Sequence, residues 1–176
     1  MATSTSVPVE EYLRTTYHPD MEYVDGELVE RHVGEHKHSL LQTEVVLELG
    51  PRQRARRFRV LTEQRLRVLG TKHRYRIPDV CVMALPYHSE PVLATPPHLA
   101  VEILSPDDET AELLAKVADY LRFGVAHIWI ANPYKHTLQE ADGEGIRYCA
   151  DLVVETDLVG RVDFKALFAK VDEPTE

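Results

Sequence analysis

Cysteine is scarce in this chain: Cys81 and Cys149 are the only two in 176 residues. Each sits in an apolar or aromatic strand-like stretch, which argues against a disulfide scaffold or a thiolate metal cage and fits a reducing cytoplasm. No apolar run approaches ~18 residues, so no membrane span is expected. The N-terminal stretch lacks the basic-then-apolar order of a signal peptide, so export is not expected and a cytoplasmic location is. Internal repeats and linker-like stretches are also missing. With 44% apolar and 28% charged residues, the composition is that of an ordinary globular protein, and the length suits one domain, taken as residues 9–172 behind a small, polar, mobile N-terminus at 1–8.

Positive charge is short overall but unevenly placed. The net charge is −9, and an acidic body repels a phosphate backbone. Yet residues 52–76 hold ten of the 20 Lys and Arg with one acid, Glu63, while the other ten face 28 acids. This stripe offers Arg52, Arg54, Arg56, Arg57, Arg74 and Arg76 as phosphate contacts. The alternative is a solvated face paired with acids elsewhere.

The order of elements is that of an α/β protein with mixed sheet pairing. "VEEYLRTTY" at 9–17 spaces Val9, Tyr12 and Leu13 along one helical face. "MEYVDGELVE" is a β-hairpin, because Asp25-Gly26 tolerates the positive dihedrals of a tight turn. "HSLLQTEVVLELG" predicts a helix ended by Gly50 and Pro51. "FRVLTEQRLRVL" and "YRIPDVCVMAL" each read as a strand, and "PPHLAVEILS" as a strand buried on both faces. In "SPDDETAELLAKVADYLRFGV", Ser105 is placed to cap, Pro106 suits the first helical position and Gly124 ends the helix. "HIWIANP" is a further buried strand. Short strand-like runs follow, then a last helix that Asp163 can cap.

Three ionisable residues interrupt or adjoin apolar segments. Asp79 opens the run after Pro78, Glu102 lies inside "LAVEIL", and Lys116 sits on the next helix. Two carboxylates on neighbouring buried strands repel and raise each other's pKa unless a divalent cation lies between them. Oxygen-only ligands suit Mg²⁺ or Mn²⁺, which can activate water for phosphodiester hydrolysis while a nearby lysine orients or deprotonates that water. The alternative is structural: Asp79 as a turn acid, and Glu102 in a salt bridge with Arg65, Arg76 or Lys116.

"YRIPDVCVM", "PPHLAVEILSPDD" and "KVADYLRFGVAHIWIANP", with "PDMEYVDGELVE" and "GEHKHSLLQ", resemble the Uma-type restriction-endonuclease family of the PD-(D/E)XK nuclease superfamily, over about residues 10–170. The resemblance implies a restriction-endonuclease-like core with a central mixed sheet, and a metal-dependent endonuclease acting on nucleic acid, with DNA as the expected substrate and a homodimer as the expected state. Asp79 and Glu102 would bind the metal, with the Ile103 carbonyl as a further ligand. The superfamily lysine two residues after the second acid is Leu104 here, and Lys116 takes its place from the helix. Glu44 matches the position of an additional metal-binding acid in the superfamily. His38 falls in a family-like block, and Glu63 and Gln64 precede Asp79 as candidates for its surroundings. Tyr120 is read mainly as a core residue. Leu104 leaves open a nuclease fold that binds nucleic acid without cleaving it. A third reading is hydrolysis of a small phosphate ester.

Overall fold

The computed structural model describes residues 6–31, 35–71 and 73–174. Lys72, one member of the basic stripe, and most of the N-terminal stretch expected to be mobile lie outside them. A first short helix α1 (Val9–Arg14) leads into the hairpin β1 (Met21–Val24) and β2 (Glu27–Glu30). Asp25 and Gly26 take φ of 53° and 108°, as that turn requires.

Helix α2 (His36–Leu49) ends at Gly50, as expected, but the chain does not turn away there. Gly50 stays right-handed at φ −52°, the chain runs through a 3-10 turn into α3 (Gln53–Arg56), and Arg57 at φ 58° makes the break. Pro51 is tolerated because a proline at the start of a helical turn gives up an amide that has no partner there.

Both long strand-like runs are split between two sheets. The first divides into β3 (Phe58–Thr62) and β4 (Leu66–Arg67), with Glu63 at φ 52° between them. The second divides into β5 (Arg74–Arg76) and β6 (Val80–Ala84) at Ile77-Pro78, where proline cannot donate to a ladder. A four-stranded sheet has the order β2-β1-β5-β4.

The main sheet adds β7 (Leu99–Ile103), β8 (His127–Asn132), β9 (Thr137–Asp142) and β10 (Gly145–Tyr148), with α4 (Thr110–Phe123) crossing between β7 and β8. Its order is β10-β9-β8-β7-β6-β3, mixed because β7 and β8 run parallel while the other pairs are antiparallel. The hairpin β11 (Val153–Thr156) and β12 (Gly160–Asp163) precedes α5 (Phe164–Val171). Asp163 caps α5 by accepting from the Lys165 and Ala166 amides. Ser105 does not cap α4, which starts later; Asp108 accepts from the Ser105 amide in a turn before the helix.

Side chains of the central strands alternate between two cores. Val80, Val82, Leu99, Val101, Ile103 and Trp129 pack with α2 and α5. Ala100, Ile128, Ile130 and Met83 pack with Val117, Tyr120 and Phe123 of α4. Period-two alternation therefore turns Glu102 to the α4 side, together with Leu104. Among the described residues, no helix is long and apolar enough to cross a membrane.

Candidate active site

Asp79 lies at the seam between the two sheets. Its backbone carbonyl accepts from the Glu63 amide (3.2 Å) and from Gln42 Nε2 (3.0 Å), so the bend after β3 and helix α2 both fix its peptide. The residue is 3% exposed. Its Oδ2 accepts from the Ile103 amide at 2.7 Å, which holds the carboxylate beside the Glu102–Ile103 peptide. Arg31 Nη2 donates to Oδ1 at 2.6 Å, and His38 Nε2 stands 3.4 Å from Oδ2. Burial pushes this carboxyl up, but His38, the Arg31 charge and the Ile103 amide together hold it below the usual range. The same contact, against the cost of burial, raises the His38 pKa and favours its charged form.

Glu102 faces α4. Tyr120 donates its hydroxyl to Oε1 at 2.5 Å and Lys116 Nζ donates to Oε2 at 3.4 Å. Tyr120 is thus buried core, as expected, and also a direct partner of the acid. Lys116 also stands 3.8 Å from Glu22 Oε1. Leu104 shares the face of Glu102 and packs against the α4 core, so an ammonium arriving from α4 approaches the acid from the side on which a residue-104 lysine would have stood. Burial pushes the Glu102 carboxyl up to about 7; Lys116 opposes this, and the Asp79 and Glu22 charges add to it. Lys116 is desolvated, which disfavours its charge, yet Glu102 and Glu22 outweigh that and raise its pKa, so it remains an ammonium.

The raised Glu102 pKa sets a stability expectation. Between its ordinary 4.5 and about 7, the folded state binds this proton more tightly than the unfolded one. Stability from this group is therefore present at low pH and lost as pH rises through that window. Glu102→Gln carries no such proton. In chelator-treated protein, the variant should match the parent near pH 5 and exceed it at pH 8 by about 3 kcal/mol, or roughly 5–10 °C in Tm. A Tm difference independent of pH would contradict this.

The acids and Lys116 line a cleft of about 150 Å³ with Arg31, His38 and Glu22. Glu22, fully buried, accepts from Arg76 Nη1 (2.7 Å) and from the Ile77 amide (2.9 Å). Arg76 turns on to Asp119 (2.8 Å), which also receives Arg74. This chain of ion pairs ties β1, β5 and α4 together under the cleft.

Among the described residues, the basic stripe does not form one surface. Arg76 is 4% exposed and bound to two acids, and Arg74 is bound to Asp25 and Asp119, so both serve this network where a phosphate contact was expected. Arg65 lies over the Tyr12 ring at 4.5 Å. Arg52 pairs with Glu48 and donates to the Val159 and Arg161 carbonyls, and Arg56 donates to the Asp157 carbonyl. Arg54 and Arg57 are exposed, but they precede β3 at the Ala84 end of β6, the length of a five-residue strand from Asp79, or roughly 17 Å.

Other candidates also move. Glu44 faces α5, where Lys170 donates to it at 2.8 Å, and it does not line the cleft. Glu63 is half-exposed and 3.9 Å from Arg31. Gln64 turns away to the Arg65 and Pro91 carbonyls. For Ile103 the contact with the acid is made by its amide, not its carbonyl.

Glu22 and Arg31 were not legible as site residues. Glu22 reads as the polar face of a two-stranded hairpin, but β5 pairs on the other edge of β1 and buries it. Arg31 stands outside the basic stripe, and only the fold brings it to Asp79 across 48 positions.

The mixed sheet, with acids at neighbouring strand ends and a lysine from the crossing helix, defines a nuclease-like α/β fold. The chain belongs to the Uma2 family, described as "Putative restriction endonuclease", whose model matches residues 9–155. Its fold is that of the crystal structure of "a putative nuclease belonging to DUF820" from Anabaena variabilis, with a TM-score of 0.81, 20% identity, and 94% of this chain and 99% of that chain covered. A comparison with curated proteins gave no match.

Proposed function

We propose that this protein is a divalent-metal-dependent nuclease that hydrolyses phosphodiester bonds in the Asp79–Glu102 cleft. The observation that carries the reading is the convergence of two buried carboxylates from neighbouring strands with a protonated lysine from α4. Family membership supports the same class of chemistry.

The residues fit a hard cation. The donors are oxygens, and the Glu102 carboxyl, pushed up to about 7 by burial first and then by the Asp79 and Glu22 charges, is a group whose ionised form a bound cation would favour. Asp79, Glu102 and the Ile103 carbonyl would hold Mg²⁺ or Mn²⁺, with waters completing its shell. When bound, the ion supplies an acidified water and Lewis-acid stabilisation of the phosphoryl oxygens.

The chain's own groups supply the rest. Asp79 is aimed by the Ile103 amide and by His38, which acts as a positioning residue. Tyr120 donates to one oxygen of Glu102 and leaves the other on the Lys116 side. As an ammonium, Lys116 donates to the attacking water or to the developing phosphoryl charge; it does not serve as a base. Its position favours activity over an idle nuclease fold. Arg54 and Arg57 remain available to phosphates distant from the cut, and their contribution would weaken with salt.

The test is nicking of supercoiled and single-stranded DNA with Mg²⁺ or Mn²⁺. Cleavage should need the ion, disappear with EDTA and return when the ion is added in excess. Cleavage that persists at full rate in EDTA would sink the metal-dependent reading. A second reading, hydrolysis of a small phosphodiester, is favoured by the acids Glu30, Glu109 and Glu112 along the cleft, which repel a polyanion more than a single diester. Bis(p-nitrophenyl) phosphate in the same assay distinguishes the two: turnover of the diester with no cut in DNA would select the second.

A further inference from the structure

At the other end of β7 from Glu102, a second cluster of polar side chains serves no part of the proposed chemistry. His98 precedes β7 and His127 opens the parallel strand β8, where it pairs with Leu99; the His127 amide donates to the His98 carbonyl at 3.2 Å. Their rings lie 5.0 Å apart, inclined at 50°. Asp157, in the turn between β11 and β12, reaches over them. One nitrogen from each histidine and one Asp157 oxygen all lie within 4.8 Å of one another. His98 Nε2 is 3.5 Å from Asp157 Oδ1 and 3.1 Å from Thr156 Oγ1.

The surroundings have the form of a built site. His127 Nδ1 is buried and makes no hydrogen bond of good geometry, yet Glu140 Oε1 stands 3.4 Å away. Glu140 is itself 7% exposed and held by Arg147 Nη2 at 3.0 Å. A carboxylate behind the non-ligating nitrogen is what fixes the tautomer and ring orientation of a metal-binding histidine. A proton on Nδ1, the nitrogen that faces Glu140, would leave the His127 Nε2 lone pair for a cation.

We infer that His98, His127 and Asp157 form a binding site for a borderline divalent transition metal of the Zn²⁺ class, distinct from the Asp79–Glu102 cleft. Two imidazoles and one carboxylate suit Zn²⁺ or Co²⁺ and disfavour Mg²⁺, which prefers oxygen donors. Zinc bonds of ~2.0–2.1 Å bring tetrahedral ligand atoms to about 3.3 Å from one another. The ligand atoms lie within 4.8 Å of one another, so closing needs a small movement, which Asp157 can make: its side chain is 88% exposed in a turn and its Oδ1 accepts from the adjacent Leu158 amide. Three protein ligands leave a fourth position for water. Such an ion would tie the β11–β12 hairpin to the ends of β7 and β8.

The test uses full-length protein carrying Asp79→Asn, so that the carboxylate cleft does not contribute, titrated with Co²⁺ and followed by its visible absorption. Expected are one equivalent of cobalt with the intense band of a tetrahedral site, displacement by Zn²⁺ but not by excess Mg²⁺, and a higher Tm with Zn²⁺. Adding Asp157→Asn, which changes an exposed side chain, should weaken binding at least ~10-fold, and His127→Gln should remove the band. No band in the folded Asp79→Asn protein, or an Asp157→Asn variant with unchanged cobalt affinity, overturns the assignment.

Discussion

Asp79→Asn is expected to lower metal-dependent nicking by at least ~10³-fold, because it removes a charged oxygen ligand from the cleft while keeping the side chain's shape. The variant keeps an acceptor for the Ile103 amide or for Arg31, so the aim of the side chain is largely preserved. Arg31 loses its close counter-ion, since Glu63 is 3.9 Å away and half-exposed. Breaking such a buried pair costs about 3–5 kcal/mol, offset in part because Glu102 loses a like-charged neighbour. Rates should therefore be compared at 20 °C, well below the variant's measured Tm, with circular dichroism confirming the fold. Nicking within about threefold of the parent would remove Asp79 from the mechanism.

Lys116→Met should reduce nicking by about 10²–10³-fold, the usual cost of one donor aimed at developing charge. The thioether retains most of the stem, so packing along α4 changes little. Divalent-ion affinity at pH 8 should hold or rise, because the ammonium 3.4 Å from Glu102 competes with a cation for that carboxylate. A loss of rate without a loss of ion binding separates a catalytic lysine from a purely structural one. Equal losses of Tm, ion binding and rate would instead mark Lys116 as a strut between Glu102 and Glu22.

Local chemistry carries much of the fold into the sequence. Asp25-Gly26 encodes its turn, the apolar stripe of α4 encodes a buried face, and the unbroken run of β7 encodes a strand covered on both sides. Asp79 and Glu102 are legible because a carboxylate inside an apolar segment demands a partner. What period-two alternation does not encode is sheet membership. Runs 58–69 and 75–85 each continue their pattern across a break, at Glu63 and at Ile77-Pro78, where the chain changes sheets. That change creates the seam at which Asp79 sits. It also explains the dispersal of the basic stripe: Arg74 and Arg76 lie in the small sheet against Glu22, Asp25 and Asp119, while Arg54 and Arg57 lie at the far end of the large one. Basic residues grouped in sequence thus become separate structural devices, and the sign of a segment's charge says nothing of which faces it reaches.

The central claim is that Asp79 and Glu102 share one divalent cation, and anomalous scattering from Mn²⁺-soaked crystals tests it most directly. The expected result is a peak about 2.1 Å from an oxygen of each carboxylate, absent from Asp79→Asn crystals soaked in the same way. A map with no peak in that cleft, Asp79 still bound to Arg31 and Glu102 still bound to Lys116 and Tyr120 would contradict it.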